Sequence, residues 1–421
     1  MNILVMGMNY APEKTAIGPL TSCLSEYLAQ VGHGVTVVTA FPHYPEWRIY
    51  DEYRGKVFLR DRVNGIPVYR SYVYVPGKPN TLQRIAYDSS FSLSAFLSAL
   101  LVWKVNIIIC ISPPLQLGLM AYILGKLKGV PFLFHIKDLL PDAAVNVGML
   151  KDGRLVTLAH RLEKFIYKRA SAVGVISPGF AENLYSKGVP KSKVYYLPDW
   201  TDMDFIKPLE RHNIFRKQNG LSESDFLVMY AGNIGKKQAL ETFLDAASIL
   251  RQDKNLVFFM VGEGTRKGAL VEKAKEMDLS NLRFLPLQPK KMLPYMLSAA
   301  DVLVVTQQSG ISDMCLPSKL LNNMASARPI VASVNEKSEA ARAVRDAEAG
   351  LAVAPEDPQA LAEAILRLHD SPELRKELGR NGRAFVSEHF EKSKVLKKFE
   401  RLIQAIVQNE NYGCSNDTHY L

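Results

Sequence analysis

The residues with the clearest chemical potential form a polar stretch at positions 307–325, directly after a buried-strand pattern at 301–305. The loop turns through Pro317 into a helix, and Ser318 is predicted at the N-cap position. The first N–H groups of a helix point outward, so the Ser318 hydroxyl and Lys319 beside them favour an anion, most often phosphate. The competing interpretation is an ordinary serine cap followed by a solvated lysine.

Two further loops of similar character follow strands in the same half of the chain. A strand at 227–231 ends in Gly232, Asn233 and then Lys236 and Lys237, just before a helix at 239–250. Two glycines and two lysines at a helix start suit a diphosphate. A strand at 256–261 is followed by a second pair of glycines, Gly262 and Gly264.

The first half of the chain alternates strand, loop, helix and strand. The pattern places strands at 3–6 and 35–39, with a helix at 20–31 between them. This alternation predicts a parallel, doubly wound sheet whose ligands lie at the carboxyl ends of the strands. Gly18, in the predicted loop after the first strand, would then approach a ligand closely. The loop lacks a G-x-G-x-x-G fingerprint, so a nicotinamide or flavin site is not supported.

Two other segments of the first half follow predicted strands. Asp138 comes after a strand at 130–135, where a carboxylate can act as a base, stabilise positive charge, or cap the next segment. If Lys137 lay close, it would lower the pKa of Asp138 and make it a poorer base. The aromatic and proline-rich loop at 41–47 suits either a sugar or lipid-linked acceptor, or a rigid structural loop.

Composition indicates a two-domain globular protein. The chain has 421 residues, of which 48% are hydrophobic and 22% charged. Its 4 cysteines form no C-x-x-C pair, which favours a reducing compartment and argues against a disulfide framework or a structural zinc site. The N-terminus begins directly with a strand pattern, so no signal peptide is expected.

Much of the net charge of +10 lies in a basic segment at 48–84, which favours nucleic acid, anionic lipid or a phosphorylated substrate. No nucleic-acid-binding motif is present, so nucleic acid is the weakest of the three. The apolar stretch at 91–103 is too short to span a bilayer. It predicts a buried helix or, alternatively, a helix on a membrane surface that inserts Phe91, Phe96, Leu100 and Trp103.

The alternating pattern is interrupted at 195–205, where we place the boundary between domains at 1–205 and 206–389. Two amphipathic helices are predicted at 358–384 and 392–407, and the polar tail 408–421 is predicted to be disordered. Asp202 and Asp204 form an acidic pair, which we interpret as turn caps at a hinge in preference to a metal site. Two doubly wound domains would place their ligand edges around a cleft.

The ordered motifs Tyr-Ala-Gly-Asn at 230–233, Val-Gly-Glu-Gly at 261–264, Ala-Asp-Val at 300–302 and Ala-Arg-Pro-Ile-Val-Ala-Ser at 327–333 resemble those of GT-B glycosyltransferases of the family 4 type. The resemblance covers nearly the whole chain. It implies two Rossmann-like domains facing a cleft, with the C-terminal segment at about 390–407 packed back on the N-terminal domain.

A more specific resemblance lies in Asn-Tyr-Ala-Pro-Glu at 9–13, Gly-His-Gly-Val-Thr at 32–36, Pro-His-Tyr-Pro-Glu-Trp at 42–47 and Pro-Ser-Lys-Leu at 317–320. These motifs are similar to those of the colanic-acid, exopolysaccharide and O-antigen transferases. The resemblance implies retaining transfer from a GDP- or UDP-sugar, without an obligatory metal or other cofactor. The acceptor would be a polyprenyl-diphosphate-linked glycan, and the enzyme would be cytoplasmic and peripheral at the inner face of the cell membrane.

The chain departs from the family pattern at two places. The usual pair of glutamates, eight positions apart, falls at Met314 and Asn322, and Asn322 retains the ability to hydrogen-bond a ribose. The usual arginine and lysine of the first loop of the second domain fall at Asn233 and Gln238. The charge on a leaving diphosphate must then be balanced by Lys236, Lys237 or Lys319.

These considerations define a candidate site. The candidate catalytic residues are Asp138, Lys237 and Lys319. The candidate donor-binding residues are Gly18, Gly232, Asn233, Lys236, Gly262, Gly264, Ser309, Gly310, Pro317, Ser318 and Asn322. Two alternatives stay open: a catalytically silent sugar-nucleotide-binding subunit of an assembly complex, which the missing glutamates motivate, and a GT-B epimerase.

Overall fold

The structure, a computed structural model, describes residues 1–14, 17–77, 80–142, 145, 153–309 and 316–409. Gly310, predicted to be a donor-site residue, lies outside the described residues. Most of the polar tail, predicted to be disordered, also lies outside them. The chain divides into two compact units, one formed by Met1–Pro198 with the C-terminal segment from Leu396, the other by Asp199–Val395. The sequence had placed the boundary between domains at residue 205.

The first unit is an α/β structure built on one sheet. Its strands are β1 (Asn2–Met6), β2 (Gly34–Ala40), β3 (Phe58–Val63), β4 (Ile66–Ser71), β5 (Ile107–Ser112), β6 (Phe132–Ile136), β7 (Ala172–Val175) and β8 (Val194–Tyr196). Its helices include α1 (Ile17–Gln30), α2 (Thr81–Leu100), α3 (Leu115–Lys128), α4 (Gly153–Arg169) and α5 (Pro178–Ser186). The sheet order is β3-β4-β2-β1-β5-β6-β7-β8, and only β3 and β4 pair antiparallel.

The second unit is a smaller doubly wound structure. Its strands are β9 (Phe226–Ala231), β10 (Leu256–Val261), β11 (Leu282–Leu285), β12 (Val302–Thr306), β13 (Ile330–Ser333) and β14 (Gly350–Val353). Its helices include α6 (Ile214–Gln218), α7 (Glu241–Ile249), α8 (Lys267–Glu276), α9 (Leu293–Ala299), α10 (Ser318–Ala325), α11 (Glu339–Asp346), α12 (Pro358–Asp370) and α13 (Pro372–His389). The strands run parallel in the order β11-β10-β9-β12-β13-β14.

Continuous apolar runs form the central strands of both sheets. In β5 every residue from Ile107 to Ser112 is buried, and β9 is buried from Phe226 to Tyr230. A strand covered by helices on both faces needs apolar side chains in both directions, so its sequence shows a run and no alternation. This pattern confirms the prediction of two Rossmann-like parallel sheets.

From Leu396 onward, the last described helix, α14 (Lys392–Gln408), packs on the first unit, as the family resemblance implies. Its Glu400 carboxylate accepts a hydrogen bond from the Tyr27 hydroxyl at 3.0 Å and lies 3.2 Å from Nε2 of His33. Phe399 meets the ring of His135 edge-on at 4.9 Å between centroids. The helix therefore belongs to the core of the first unit.

Two local predictions are wrong, and one hairpin is not predicted from the sequence. Helix α1 begins at Ile17, so Gly18 lies in its first turn and not in a loop. The helix predicted at 358–384 is two helices, because Ser371 caps a new helix whose first residue is Pro372. The basic segment contains the β3–β4 hairpin, which its polar composition did not indicate.

Helix α2 buries one face, and this settles which of its apolar residues lie in the core. Asn80 and Gln83 form a capping box at its N-terminus. Phe91 is fully buried, so the hypothesis that it inserts into a membrane is wrong, whereas Trp103, just beyond the helix, is 88% exposed. Among the described helices, none combines the length and apolar character needed to cross a bilayer.

Asp88 on the buried face of α2 generates a prediction about stability and pH. Burial raises its pKa from 3.8 to about 7, with Arg84 partly opposing the shift. The folded state therefore favours the protonated carboxyl, and stability falls as pH rises from 3.8 towards 7. We expect Asp88→Asn to be nearly neutral near pH 4 and to stabilise by about 4 kcal/mol above pH 7.

Urea unfolding of both proteins at pH 4.5, 6 and 8 measures this difference. Asp204→Asn is the matched control, because the Asp204 side chain is fully exposed and its removal should give no such trend. A difference between Asp88→Asn and the wild type that is constant across the three pH values would show that the buried carboxyl does not titrate in this range.

Candidate functional site

Strands β9 and β12 lie side by side at the centre of the second sheet, and the strand order reverses between them. In parallel α/β sheets, ligands bind beyond the carboxyl ends of the strands at this switch point. The loops that begin at Gly232 and Gln307 leave the sheet there. Most donor-binding residues predicted in the second unit follow β9, β10 or β12 at this edge.

The glycine loops after β9 and β10 touch through their backbones. Gly232 has a φ of 154° and donates its N–H to the Val261 carbonyl at 3.0 Å. A Cβ on Gly262 would lie 1.9 Å from the Gly232 carbonyl oxygen, and one on Gly264 would lie 2.2 Å from the Ile234 carbonyl oxygen. Gly262 and Gly264 therefore allow one loop to pack against the other.

Lys319 extends from the first turn of α10 to the loop after β9. Its Nζ donates to the Tyr230 hydroxyl oxygen at 3.2 Å and lies 4.6 Å from the centre of the Tyr230 ring. The Tyr230 hydroxyl in turn donates to the Asn233 carbonyl at 2.7 Å. Burial raises the pKa of Tyr230, which keeps the phenol neutral and able to donate. A cation is thus held beside Gly232, whose Cβ position would be 3.4 Å from Cδ of Lys319.

Lys236 and Lys237 begin a short 3₁₀ helix in the same loop, and both side chains are exposed. This helix is attached to the end of β12. The Gln308 N–H donates to the Lys237 carbonyl at 2.9 Å, and the Thr306 hydroxyl donates to the Gln238 carbonyl. The predicted lysines therefore lie at the switch point and face solvent.

The loop after β12 meets a carboxylate that sequence analysis missed. The Ser309 N–H donates to Oε2 of Glu356 at 3.1 Å, and Glu356 has a φ of 57°. Glu356 and Lys236 line a cavity of about 380 Å³. The only sequence signal for Glu356 is its position just after β14, a strand that sequence analysis did not identify.

Helix α10 begins one residue earlier than predicted. Pro317 holds the N-cap position and Ser318 is the first helical residue, so the assignment of Ser318 as the N-cap is wrong. Asn322, one turn further on, accepts a hydrogen bond from the Thr201 hydroxyl at 3.5 Å. The structure thus gives the Asn322 side chain a partner within the second unit.

The two predicted residues of the first unit follow different strands. Asp138 is exposed and follows β6, whereas Gly18 lies beyond β1, and β5 separates these two strands in the sheet. A Cβ on Gly18 would lie 3.3 Å from the Cβ of Glu13, so the glycine permits close packing of that loop. Gly18 therefore has a packing role whether or not it meets a ligand.

A buried polar network between β1 and β2 was not predicted. Glu13 accepts hydrogen bonds from the backbone N–H groups of His43 and Tyr44 at 2.9 and 3.0 Å. His43 donates from Nδ1 to the Phe41 carbonyl at 2.8 Å and accepts at Nε2 from the Tyr87 hydroxyl at 2.7 Å. Burial lowers the pKa of His43, which agrees with a neutral ring in these roles.

This network supports an aromatic platform at the edge of the first sheet. The rings of Trp47 and Tyr87 lie 5.3 Å apart, and the Arg84 guanidinium lies 5.1 Å from the centre of each. Trp47 and Arg84 are partly exposed and can stack on a sugar ring and balance a phosphate charge, whereas Tyr87 is buried and only packs against them. The sequence evidence for this surface is the pair of motifs at 9–13 and 42–47, because both follow strands that are neighbours in the sheet.

Both halves of the chain match known families. Residues 15–200 match the glycosyl transferase 4-like domain, and residues 212–385 match the glycosyl transferases group 1. Among solved structures, sucrose-phosphate synthase from Thermosynechococcus elongatus aligns with a TM-score of 0.74 at 19% identity, over 97% of this chain and 100% of that one. HepE from Anabaena, solved with UDP, aligns with a TM-score of 0.71 at 15% identity, over 96% and 100%.

One curated relative is considerably closer in sequence. WcaI of Escherichia coli (strain K12), named as a colanic acid biosynthesis glycosyl transferase, is 36% identical over 332 residues, which cover 77% of this chain and 81% of that protein. The structural neighbours establish the GT-B fold. Together with the match to WcaI, the two domain matches show that the chain belongs to the family of GT-B glycosyltransferases of the family 4 type and is a glycosyltransferase.

Proposed function

We propose that the protein transfers a sugar, with retention at the anomeric carbon, from a nucleotide-diphosphate donor to a polyprenyl-diphosphate-linked glycan in surface polysaccharide biosynthesis. The observation that carries the proposal is the position of Lys319, held by Tyr230 beside the backbone of Gly232 at the switch point of the second sheet. A fixed cation beside a glycine loop and a helix start is suited to a diphosphate.

The donor diphosphate binds at the loop after β9 and at the start of α10. Lys319 balances the charge that grows on the leaving phosphate, and Lys237 contributes from the exposed rim of the same loop. The UDP that accompanies HepE supports a uracil nucleotide, and a guanine nucleotide is the alternative. The proposal requires no metal or other cofactor, because lysines supply the positive charge.

The chemical step breaks the bond between the anomeric carbon and the phosphate oxygen. The acceptor hydroxyl attacks from the face that the phosphate leaves, and the phosphate oxygen takes the hydroxyl proton. The new glycosidic bond and the free nucleoside diphosphate then account for all atoms and charges. Asp138, exposed beyond β6, orients the acceptor in this scheme and is not needed as the base.

The acceptor binds at the first unit on Trp47 and Arg84, which pack against the buried ring of Tyr87. A partly exposed aromatic ring beside a guanidinium matches a ligand that carries both sugar rings and a diphosphate. The name of WcaI, which is similar to this chain, supports an exopolysaccharide product. The acceptor class is the part of the proposal that rests on this resemblance.

Peripheral attachment to the inner face of the membrane forms part of the proposal. Helix α2 exposes Leu93 and Leu97, and Leu101 and Trp103 follow it, with exposed fractions of 57%, 56%, 53% and 88%. Lys104 adjoins this apolar stripe and is also exposed. An apolar stripe bordered by a basic residue suits the surface of an anionic bilayer.

Lys319→Ala should lower kcat by roughly 100-fold with little change in acceptor KM, because the lysine acts on the charge that develops as the donor bond breaks. Release of nucleoside diphosphate from UDP- and GDP-sugars in the presence of a lipid-linked acceptor measures the rate. Proton NMR of the product reports the anomeric configuration, which we expect to match that of the donor.

Lys254→Ala is the matched control, since Lys254 is exposed and precedes β10 at the opposite edge of the same sheet. Near-normal turnover of Lys319→Ala would remove this lysine from the mechanism. Nucleotide binding without transfer to any acceptor would favour a silent binding subunit.

Trp47→Ala should raise the acceptor KM and leave the donor KM unchanged.

The membrane hypothesis predicts that Leu97→Glu combined with Trp103→Glu reduces binding to vesicles containing anionic lipid by at least tenfold. Flotation of the full chain with such vesicles measures the bound fraction. Leu287→Glu is the control, because Leu287 is 72% exposed and lies in the second unit. Equal flotation of all three proteins would exclude the stripe as the attachment surface.

A further inference from the structure

The second unit contains a large open cavity at the amino edge of its sheet, opposite the candidate donor site. The cavity has a volume of about 1090 Å³. Its wall includes Phe226 at the start of β9, Pro329 just before β13, the segment from Pro208 to Arg211, and one face of α13. Since β9 spans six residues from Phe226 to Ala231, the two edges are separated by roughly 17 Å.

The lining of this cavity is strongly basic. The cationic side chains are Arg211, Arg328, Arg375, Lys376, Arg380 and Arg383, and the acidic ones are Glu210, Glu223 and Asp301. Asp301 is already neutralised, because its carboxylate oxygens lie 2.5 and 3.0 Å from the Arg211 guanidinium and 2.7 Å from that of Arg216. The remaining cations of the lining therefore outnumber the remaining acids.

Arg328 is the most directly informative residue of the cavity. Its Nη2 donates to the Leu209 carbonyl at 3.2 Å, whereas its Nε is buried and has no hydrogen-bond partner among the described residues. Burial also lowers the pKa of this guanidinium. Asp301 and Glu210 act electrostatically on this guanidinium, but its hydrogen-bonding capacity is not fully used, so an added anion would stabilise it.

Two more arginines are held in place by the backbone. Arg383 donates to the carbonyls of Ile206 and Ala325, and Arg375 donates to the His369 carbonyl at 2.8 Å while lying 5.1 Å from the centre of the Phe226 ring. These bonds fix the guanidinium groups at the wall without neutralising their charge. A ligand would therefore meet positive groups that are already ordered, which lowers the cost of binding.

We propose that this arginine cavity is a second ligand site, and that it binds a small, multiply charged phosphate compound such as a phosphorylated metabolite. Arginine forks recognise phosphate oxygens in pairs, and the volume accommodates a molecule larger than a single phosphate. The ligand would hold the segment from Pro208 to Arg211 against α13. The site is independent of the candidate donor site, which lies at the other edge of the sheet.

Calorimetric titration of inorganic pyrophosphate into the full chain at low salt tests the proposal. The cavity variant is Lys376→Ala with Arg380→Ala, because both residues are exposed on α13 and can be changed without disturbing the core. The control is Arg367→Ala on α12, an exposed arginine outside this cavity. A second variant, Lys237→Ala with Lys319→Ala, removes the lysines proposed for the donor site.

We expect two binding events in the wild type and in Arg367→Ala. The cavity variant should weaken one event at least tenfold, and the donor-site variant should weaken only the other. If the cavity variant binds pyrophosphate as the wild type does, the second site does not exist. If the donor-site variant binds pyrophosphate as the wild type does while the cavity variant binds it more weakly, the donor assignment fails and the cavity assignment stands. Binding to anionic vesicles in place of pyrophosphate, lost in the cavity variant, would overturn the small-molecule assignment.

Discussion

The candidate donor site depends on a contact between two backbones. The Gly232 carbonyl oxygen occupies the space where a Cβ on residue 262 would be, at 1.9 Å, and Gly264 packs on Ile234 in the same way. Any side chain at these glycines would push the loop after β10 away from the loop after β9. The loop after β9 carries the peptide of Gly232 and both exposed lysines, so its position determines where a diphosphate could be held.

A buried hydrogen-bond network places a similar constraint on the loops that follow β1 and β2 in the first unit. The Glu13 carboxylate is buried and accepts three N–H hydrogen bonds, from Asn9, His43 and Tyr44. Breaking this network would leave a buried charge without partners, which is among the most costly changes a fold can suffer. The network therefore keeps the loop at 41–47 in one conformation and holds Trp47 against Tyr87. Rigid support of this kind is what a binding surface requires.

Much of the fold could be predicted from the sequence because its central strands are continuous apolar runs. The same logic explains the failures. Strand β3 of the β3–β4 hairpin carries three consecutive charged residues, Arg60, Asp61 and Arg62, at the edge of the sheet, so its composition resembles a basic surface segment. One arginine of that segment, Arg70, is buried and donates to the Ala11 carbonyl, which no count of charges could indicate. The observed helix boundaries differ from the predicted ones where a proline or a serine caps a helix.

Some residues of the candidate site could be predicted from the sequence, whereas the contacts between them could not. Glycines and lysines after strands mark an edge of a sheet, and the structure brings Gly232, Asn233 and Lys319 together there. The role of Tyr230 in holding Lys319 depends on a contact between residues 89 positions apart. The hydrogen bond between Ser309 and Glu356 also joins distant positions, 47 residues apart. Such pairings follow from strand order, which a single sequence leaves open.

The most direct test of this account is a crystal structure of the protein with UDP or GDP bound. The account predicts that the diphosphate lies within hydrogen-bonding distance of Lys319 Nζ and of the backbone around Gly232, at the carboxyl edge of β9 and β12. A nucleotide whose diphosphate lies elsewhere and does not contact Lys319 would contradict the central claim that this lysine and glycine loop form the donor site.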